Sequence, residues 1–194
     1  DLISGYANRG DDGRSEIIRT LMGHLSEEAT AALIEIATTE STVKVKKLAV
    51  RALGYRRQKE ATEALENLVD DSSSEIRASA LMALRNAGVR VEIVAKGLAD
   101  PDPVVREAAG QCVELLPAEA AVPLVAQMLK EESRGAVHEK ILDRAFTLAA
   151  RCRDAKLVPA IMAHLRKARS NSQRLRALNP LLLMRIQESA LALI

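Results

Sequence analysis

Residues 102–113 decide the fold, and they read Asp-Pro-Val-Val-Arg-Glu-Ala-Ala-Gly-Gln-Cys-Val. In this stretch Arg106 is followed by Ala109 and Val113, three and seven positions later. Offsets of three and seven place side chains on one face of an α-helix. Asp102 and Pro103 are typical of an N-cap and of the first helical residue. The stretch therefore predicts a helix that begins near Pro103 and carries one apolar face.

The same spacing occurs twice earlier in the chain. A base is again followed, three and seven positions later, by a small and an aliphatic residue. The matching positions are Lys46, Ala49 and Leu53, and then Arg77, Ala80 and Leu84. The bases at 46, 77 and 106 are 31 and 29 residues apart, and weaker matches extend upstream and downstream. A fixed period near thirty residues is typical of a repeat protein.

The period divides the chain into about six units. We place them near residues 11–41, 42–71, 72–101, 102–134, 138–169 and 171–194. We expect one array over residues 1–194, from a longer protein, because the chain starts without Met and stops inside an apolar helical pattern.

Each unit also has a second apolar segment. Val122-Pro123 and Val158-Pro159 align at an offset of 36, and proline fits the first turn of a helix. We therefore expect second helices that begin at these prolines. Gly54 and Gly88 lie near the ends of first helices, where a left-handed residue can close the helix.

Composition agrees with stacked helices. Hydrophobic residues make up 48 % of the chain and aromatic residues only 2 %, so the core must be aliphatic. No segment alternates in the manner of a strand, and a single helix pair cannot bury its apolar faces alone. We predict an all-α fold, an α-α superhelix of about six helix pairs around a concave groove.

The repeat pattern resembles a known family. Asp102-Pro103-Val104-Val105-Arg106 with Ala109 and Val113 is similar to the short HEAT repeat of phycobilisome-lyase-type proteins. The resemblance implies a HEAT- or armadillo-like solenoid. It also implies that the repeated base pairs with an acidic residue or a carbonyl of the neighbouring unit. We therefore expect a structural ladder that includes Lys46, Arg77, Arg106 and Asp102.

The concave groove is the expected place for a partner. Two columns beside the core positions of the second helices face outward in this register. From them we select as partner-binding residues Ile34, Glu35, Glu66, Asn67, Lys96, Gln127 and Met162.

Sequence signals for catalysis are weak. His138-Glu139 begins like a zinc-binding His-Glu-x-x-His motif, but Leu142 stands where the second histidine should be. No phosphate-loop or nucleophile-elbow motif is present, and we expect His164 to be a half-buried core histidine. We predict a protein that is not an enzyme and has no cofactor or metal.

The predicted function is a non-catalytic protein-interaction scaffold or regulatory module. Its partner would be another protein or another domain of the same chain, in the cytoplasm and without a membrane span. One alternative is a weak nucleic-acid binder that contacts phosphates, and a second is a chromophore-lyase-like chaperone subunit. The basic residues behind the first alternative are Lys44, Lys46, Lys47, Arg51, Arg56, Arg57 and Lys59, and then Arg166, Lys167, Arg169, Arg174 and Arg176.

Overall fold

The computed structural model describes residues 5–130 and 136–184, without the side chains of 136–138. Within these ranges the chain forms eleven α-helices and no strand, so the all-α prediction is confirmed. The helices are α1 (Asp11–Gly23), α2 (Glu27–Thr39), α3 (Val43–Leu53), α4 (Lys59–Leu68), α5 (Ser74–Ala87), α6 (Val91–Leu98), α7 (Pro103–Val113), α8 (Ala118–Lys130), α9 (Ala136–Cys152), α10 (Val158–Lys167) and α11 (Asn171–Met184). Short 3₁₀ turns cover Tyr6–Asn8 and Ala155–Leu157.

The helices fall into two compact units that divide after Cys112. The first contains α1–α6 and nearly all of α7, and the second contains α8–α11. Within each unit the helices bury small residues at the repeated position. All of these are fully buried, namely Ala49, Ala80, Ala109, Ala145 and Ala177. Small side chains there let neighbouring helices approach closely, which explains how an almost non-aromatic core is filled.

Local signals fix several helix ends. The hydroxyl of Ser26 accepts a hydrogen bond from the Ala29 N–H, which satisfies a free donor at the start of α2. The carboxylate of Asp102 accepts from the Val104 N–H at 2.8 Å, and α7 begins at Pro103 as expected. Gly88 follows α5 with a φ of 104°, a conformation that favours glycine, in agreement with the sequence.

Two local predictions are wrong. Pro123 does not start a second helix, because α8 begins five residues earlier, at Ala118, and the proline lies inside it. Gly54 does not close α3 in a left-handed conformation, since its φ is −62°. Its role is steric: a Cβ on Gly54 would lie 2.9 Å from the Cα of Ala83. The absent side chain therefore allows the end of α3 to approach α5.

Gly97 permits a second close approach, in α6. A Cβ on this residue would lie 2.8 Å from the Cβ of Ala109 and 2.8 Å from Cδ1 of Leu81. Both neighbours are fully buried, so they have little room to move. The two glycines thus set helix spacings within the first unit.

Candidate functional site

Three bases on first helices each reach an acidic residue that precedes the next first helix. The ion pairs are Arg14–Glu40 at 2.9 Å, Lys46–Asp71 at 2.6 Å and Arg77–Asp100 at 2.8 Å. Each carboxylate also accepts a hydrogen bond of 2.8 Å from the backbone N–H two residues further on. The acid thus orders the turn and anchors the base at the same time.

Arg77 connects two successive turns. Its Nε and Nη2 donate to the two carboxylate oxygens of Asp100 at 2.8 and 2.9 Å. Its Nη1 donates to the carbonyls of Asp71 and Ser72, in the turn before its own helix. Arg106 makes the equivalent contacts to the carbonyls of Asp100 and Pro101, each at 2.8 Å. Only a planar guanidinium with several donors can satisfy both sets of acceptors.

The ion pairs shift the pKa values of their carboxyls. The hydrogen bond from Arg77 lowers the pKa of Asp100 against the opposing effect of burial. Burial alone would raise the pKa of Asp71, but hydrogen bonds from Lys46 and from the Ser73 N–H outweigh it and the pKa is lowered. Both carboxyls are therefore held in their charged form by the fold.

The groove residues selected from the sequence lie on the second helices with mixed exposure. Glu35, Asn67 and Lys96 are exposed, Ile34, Glu66 and Gln127 are half-buried, and Met162 is only 8 % exposed. The expectation that Met162 faces outward is therefore wrong. Its neighbour Ala163 is exposed, so the outward face of α10 includes position 163 and not position 162.

Two of these groove residues are held in ion pairs. Arg90 donates to Glu66 at 2.7 Å, and Lys96 donates to Asp70 at 2.6 Å. The first pair joins the residue before α6 to α4, and the second joins α6 to the turn that follows α4. The structure therefore gives these two side chains intramolecular partners on the second-helix surface.

A concave surface lies on the first helices. A depression of about 660 Å³ opens between α3, α5 and α7 within the first unit. We call it the first-helix trough. Its floor combines short side chains with the half-buried Met82; Ala78, Ala83 and Ala108 are 9 %, 3 % and 5 % exposed and Ser79 is half-buried. Sequence reasoning missed this surface because these alanines look like ordinary helix-packing positions.

Longer side chains surround this floor. Lys47, Arg51 and Tyr55 lie on the α3 side, and Val104, Glu107 and Gln111 lie on the α7 side. Tyr55 and Val104 are 64 % and 53 % exposed, although both carry large apolar groups. A concave surface with small residues at its base and exposed apolar groups at its edge is typical of a binding site.

Charges around the trough are nearly balanced. Lys47 pairs with Glu75 at 2.7 Å across the gap between α3 and α5. Arg51 is exposed and makes no ion pair or hydrogen bond through its side chain with any part of the chain that the structure describes. Glu107 supplies a second carboxylate to the lining. Arg51 is thus a cation at the trough available to a partner.

Several bases of the second predicted unit are already engaged. Lys46 and Lys47 are in the ion pairs given above, and Lys59 pairs with Glu63 at 3.0 Å. Arg56 is 2 % exposed and donates to the carbonyls of Leu21 and His24 at 2.7 Å. Arg56 is therefore held by two carbonyls at the end of α1 and is not available as a phosphate ligand.

The remaining reactive side chains have structural environments. His164 is half-buried, donates its Nε2–H to the Leu129 carbonyl, and meets the Phe146 ring edge-on at a centroid distance of 5.6 Å. Burial raises the pKa of the Cys112 thiol to about 11, which makes it a poor nucleophile. In the His138-Glu139 pair, Glu139 forms an ion pair with Arg176. The side chain of His138 lies outside the described residues.

The described ranges contain no group of three or more side chains arranged to hold a metal ion. Within the same ranges, every helix is too short or too polar to cross a lipid bilayer.

Comparison with protein families identifies the repeats. Residues 2–85 match the family of HEAT repeats, and residues 91–110 match the HEAT repeat associated with sister chromatid cohesion. The chain contains HEAT-like repeats. The matches cover the same region from which the repeat period is read in the sequence. The resemblance to HEAT repeats is therefore confirmed. No curated protein sequence matches this HEAT-like chain significantly.

Solved structures give the HEAT-like chain the same fold. A designed armadillo repeat protein in complex with the peptide (KR)4 is 14 % identical, with a TM-score of 0.61 over 95 % of this chain and 98 % of that one. An engineered protein is 20 % identical, with a TM-score of 0.58 over 95 % of both chains. At these identities the likeness establishes the HEAT/armadillo fold alone.

A complex of the phycocyanin lyase subunits CpcE and CpcF from Nostoc is more distant. It is 16 % identical, with a TM-score of 0.39 over 93 % of this chain and 86 % of that one. This likeness carries no argument about the activity of the HEAT-like chain.

Proposed function

We propose that this HEAT-like chain is a non-catalytic protein-interaction scaffold whose partner binds in the first-helix trough. One observation carries the proposal: a 660 Å³ depression with a floor of small side chains lies beside the exposed apolar groups of Tyr55 and Val104. Burying such groups is favourable because it removes apolar surface from water. A rigid stack of helices would present them with little ordering cost on binding.

Charge favours a protein over nucleic acid as the partner. The lining contains two bases of α3, Lys47 and Arg51, and two acids, Glu75 of α5 and Glu107 of α7. A phosphate-binding surface needs a net positive stripe, which this lining lacks. The phosphate-binding alternative is further weakened because Arg56 and Lys59 have intramolecular partners. The chromophore-lyase alternative has no support from the trough, and a cytoplasmic location stays a prediction.

The second-helix surface is the competing site. Three residues predicted from the sequence to face outward on this surface are exposed and could contact a partner, namely Glu35, Asn67 and Lys96. Lys96 must first leave Asp70, however, which lowers the gain from a new contact. We therefore rank this surface below the first-helix trough.

A capture experiment with matched variants tests the proposal. The chain is used as bait in lysate of its source cells, after nuclease treatment, beside Ser79→Arg and Asn67→Arg. Ser79 lines the trough on α5, whereas Asn67 is exposed on α4, so each variant adds the same side chain to a different helix surface. We expect a specific protein that survives nuclease, is lost with Ser79→Arg and is kept with Asn67→Arg.

Three other outcomes contradict the proposal. Loss with Asn67→Arg alone would move the site to the second helices. Loss with nuclease alone would favour phosphate binding. Equal capture by all variants would exclude the trough as the binding surface.

A further inference from the structure

We propose that the partner segment in the first-helix trough is an amphipathic α-helix that places a carboxylate against Arg51. This inference rests on the proposed function and specifies the chemistry of its partner. It is carried by the shape of the trough, the polarity of its floor and the distribution of charge along its α3 side.

The trough follows the length of one helix. Its α5 residues extend from Glu75 to Asn86, so the lining runs for about 16 Å along that helix at 1.5 Å per residue. α3 supplies one side and α7 the other. A guest helix of about three turns, laid along α5, matches this length.

The floor favours a helix over an extended peptide. An extended chain exposes backbone N–H and C=O groups at every residue, and buried groups of this kind need partners. Ala78, Met82, Ala83 and Ala108 have no side-chain hydrogen-bond donor, Ser79 has one hydroxyl, and the amide of Asn86 lies only at one end of the α5 lining. A helix satisfies its own backbone and needs only apolar side chains to fill the space above these alanines.

The α3 side supplies the specific contacts. Arg51 and Tyr55 are four residues apart, so they lie on the same face of the chain as α3 ends. Lys47 is neutralised by Glu75, which leaves Arg51 as the cation that this side offers. Tyrosine and arginine are, with tryptophan, enriched among the residues that contribute most to interface binding. The guest helix should therefore carry an acidic residue beside its largest apolar side chain.

A peptide selection tests this chemistry. Random 16-residue peptides displayed on yeast are selected on the full chain and depleted on Ser79→Arg. We expect enriched sequences with apolar residues at helical spacing and at least one Asp or Glu. Synthetic versions should gain helical circular dichroism when they bind.

Variants then identify the contacts. Tyr55→Ala should weaken binding about tenfold or more, as for a central interface residue. Arg51→Glu should weaken it about fivefold, because a charge at the edge of an interface contributes modestly. The same Arg51→Glu variant should regain affinity for a peptide whose acidic residue is replaced by Lys. Asn67→Arg is the matched control and should leave binding unchanged.

The contrary results are equally specific. Selected peptides that bind without helical structure, or that carry basic residues in place of acidic ones, would overturn the inference but leave the trough as a protein-binding site. A selection that leaves no peptide after depletion on Ser79→Arg would also overturn it. Failure of the proposed function itself would appear separately, as loss of the cellular partner with Asn67→Arg alone or with nuclease alone.

Discussion

The Asp100 carboxylate shows how much one residue contributes to this array. It binds the guanidinium of Arg77 through both oxygens and also caps the Asp102 N–H. Its side chain is 10 % exposed and that of Arg77 is 15 % exposed. An ion pair so shielded, with several hydrogen bonds, stabilises far more than a surface pair.

Replacement of Asp100 by Asn should therefore destabilise the protein. We expect a loss of about 2 kcal/mol in the free energy of unfolding, since charge-assisted hydrogen bonds are lost. Urea denaturation followed by circular dichroism measures the change. Asp70→Asn is the matched control, because the Asp70–Lys96 pair is 62 % and 54 % exposed and should contribute about 0.5 kcal/mol or less. Equal losses in the two variants would mean that the ladder has no special role.

Acid should weaken the ladder in a defined direction. The pKa of Asp100 is lowered in the folded protein, first by its hydrogen bonds from Arg77. The unfolded chain therefore binds a proton at a higher pH than the folded chain does. The stabilisation is complete above the unfolded pKa, near about pH 4, and is lost as the pH falls through the lower folded value.

A comparison of urea denaturation at pH 7 and pH 3 tests this direction. The free energy of unfolding should fall in acid, and it should fall less in Asp100→Asn, which has no carboxyl to protonate at this position. An identical acid response in the variant would show that other carboxyls account for it.

At the scale of the element, close helix packing depends on glycine. Gly97 lies within α6, and a Cβ there would meet Ala109 and Leu81 at 2.8 Å. Gly97→Ala should therefore cost about 1–3 kcal/mol through overpacking, even after the better helix propensity of alanine is counted. Gly23→Ala is the control, because nothing lies within 4 Å of that position, and it should be neutral or slightly stabilising. A Gly97→Ala variant as stable as the parent would exclude tight packing at α6.

The sequence predicts the helices well where the signal is local. The Asp102–Pro103 start of α7, the turn at Gly88 and the buried Ala80 and Ala109 follow from caps, conformational preference and period. The start of α8 could not be found in this way, because Pro123 is tolerated inside the helix. The steric role of Gly54 was also hidden, since it depends on a contact with Ala83 in another helix.

At the scale of the whole molecule, the fold is readable from the repeat but the binding surface is not. A period of about thirty residues and an aliphatic composition are enough to predict stacked helix pairs. The trough depends on the distance between α3, α5 and α7, which no pattern in one helix encodes. The outward residues of the second helices looked like free binding residues in the sequence. Their ion pairs, such as Lys96 with Asp70, join residues 26 positions apart and cannot be recognised from the pattern of one helix.

Binding at the trough should not need the end of the chain. Its lining residues extend from Lys47 to Gln111, and repeats contact only their neighbours. A shortened chain of residues 1–130 should remain helical, unfold at lower urea concentration and bind a selected trough peptide within about twofold of the parent affinity. Circular dichroism and fluorescence anisotropy measure these properties. A folded short chain that has lost the peptide would mean that the later helices contribute to the site.

The ladder also bears on how such a chain can change its length. Arg77 binds carbonyls in the turn before α5 and the Asp100 carboxylate in the turn before α7. Arg106 binds the equivalent carbonyls one unit later. Asp71 and Asp100 occupy equivalent places, so removal of residues 72–100 joins a turn that carries Asp71 directly to the unit of Arg106. Lys46 keeps its acid and Arg106 gains a turn of the same kind. In-register deletion of this unit thus leaves no ladder charge orphaned, although exposed pairs such as Lys47–Glu75 are lost. A change of any other length in these turns would separate the acid from the base on one side of the junction.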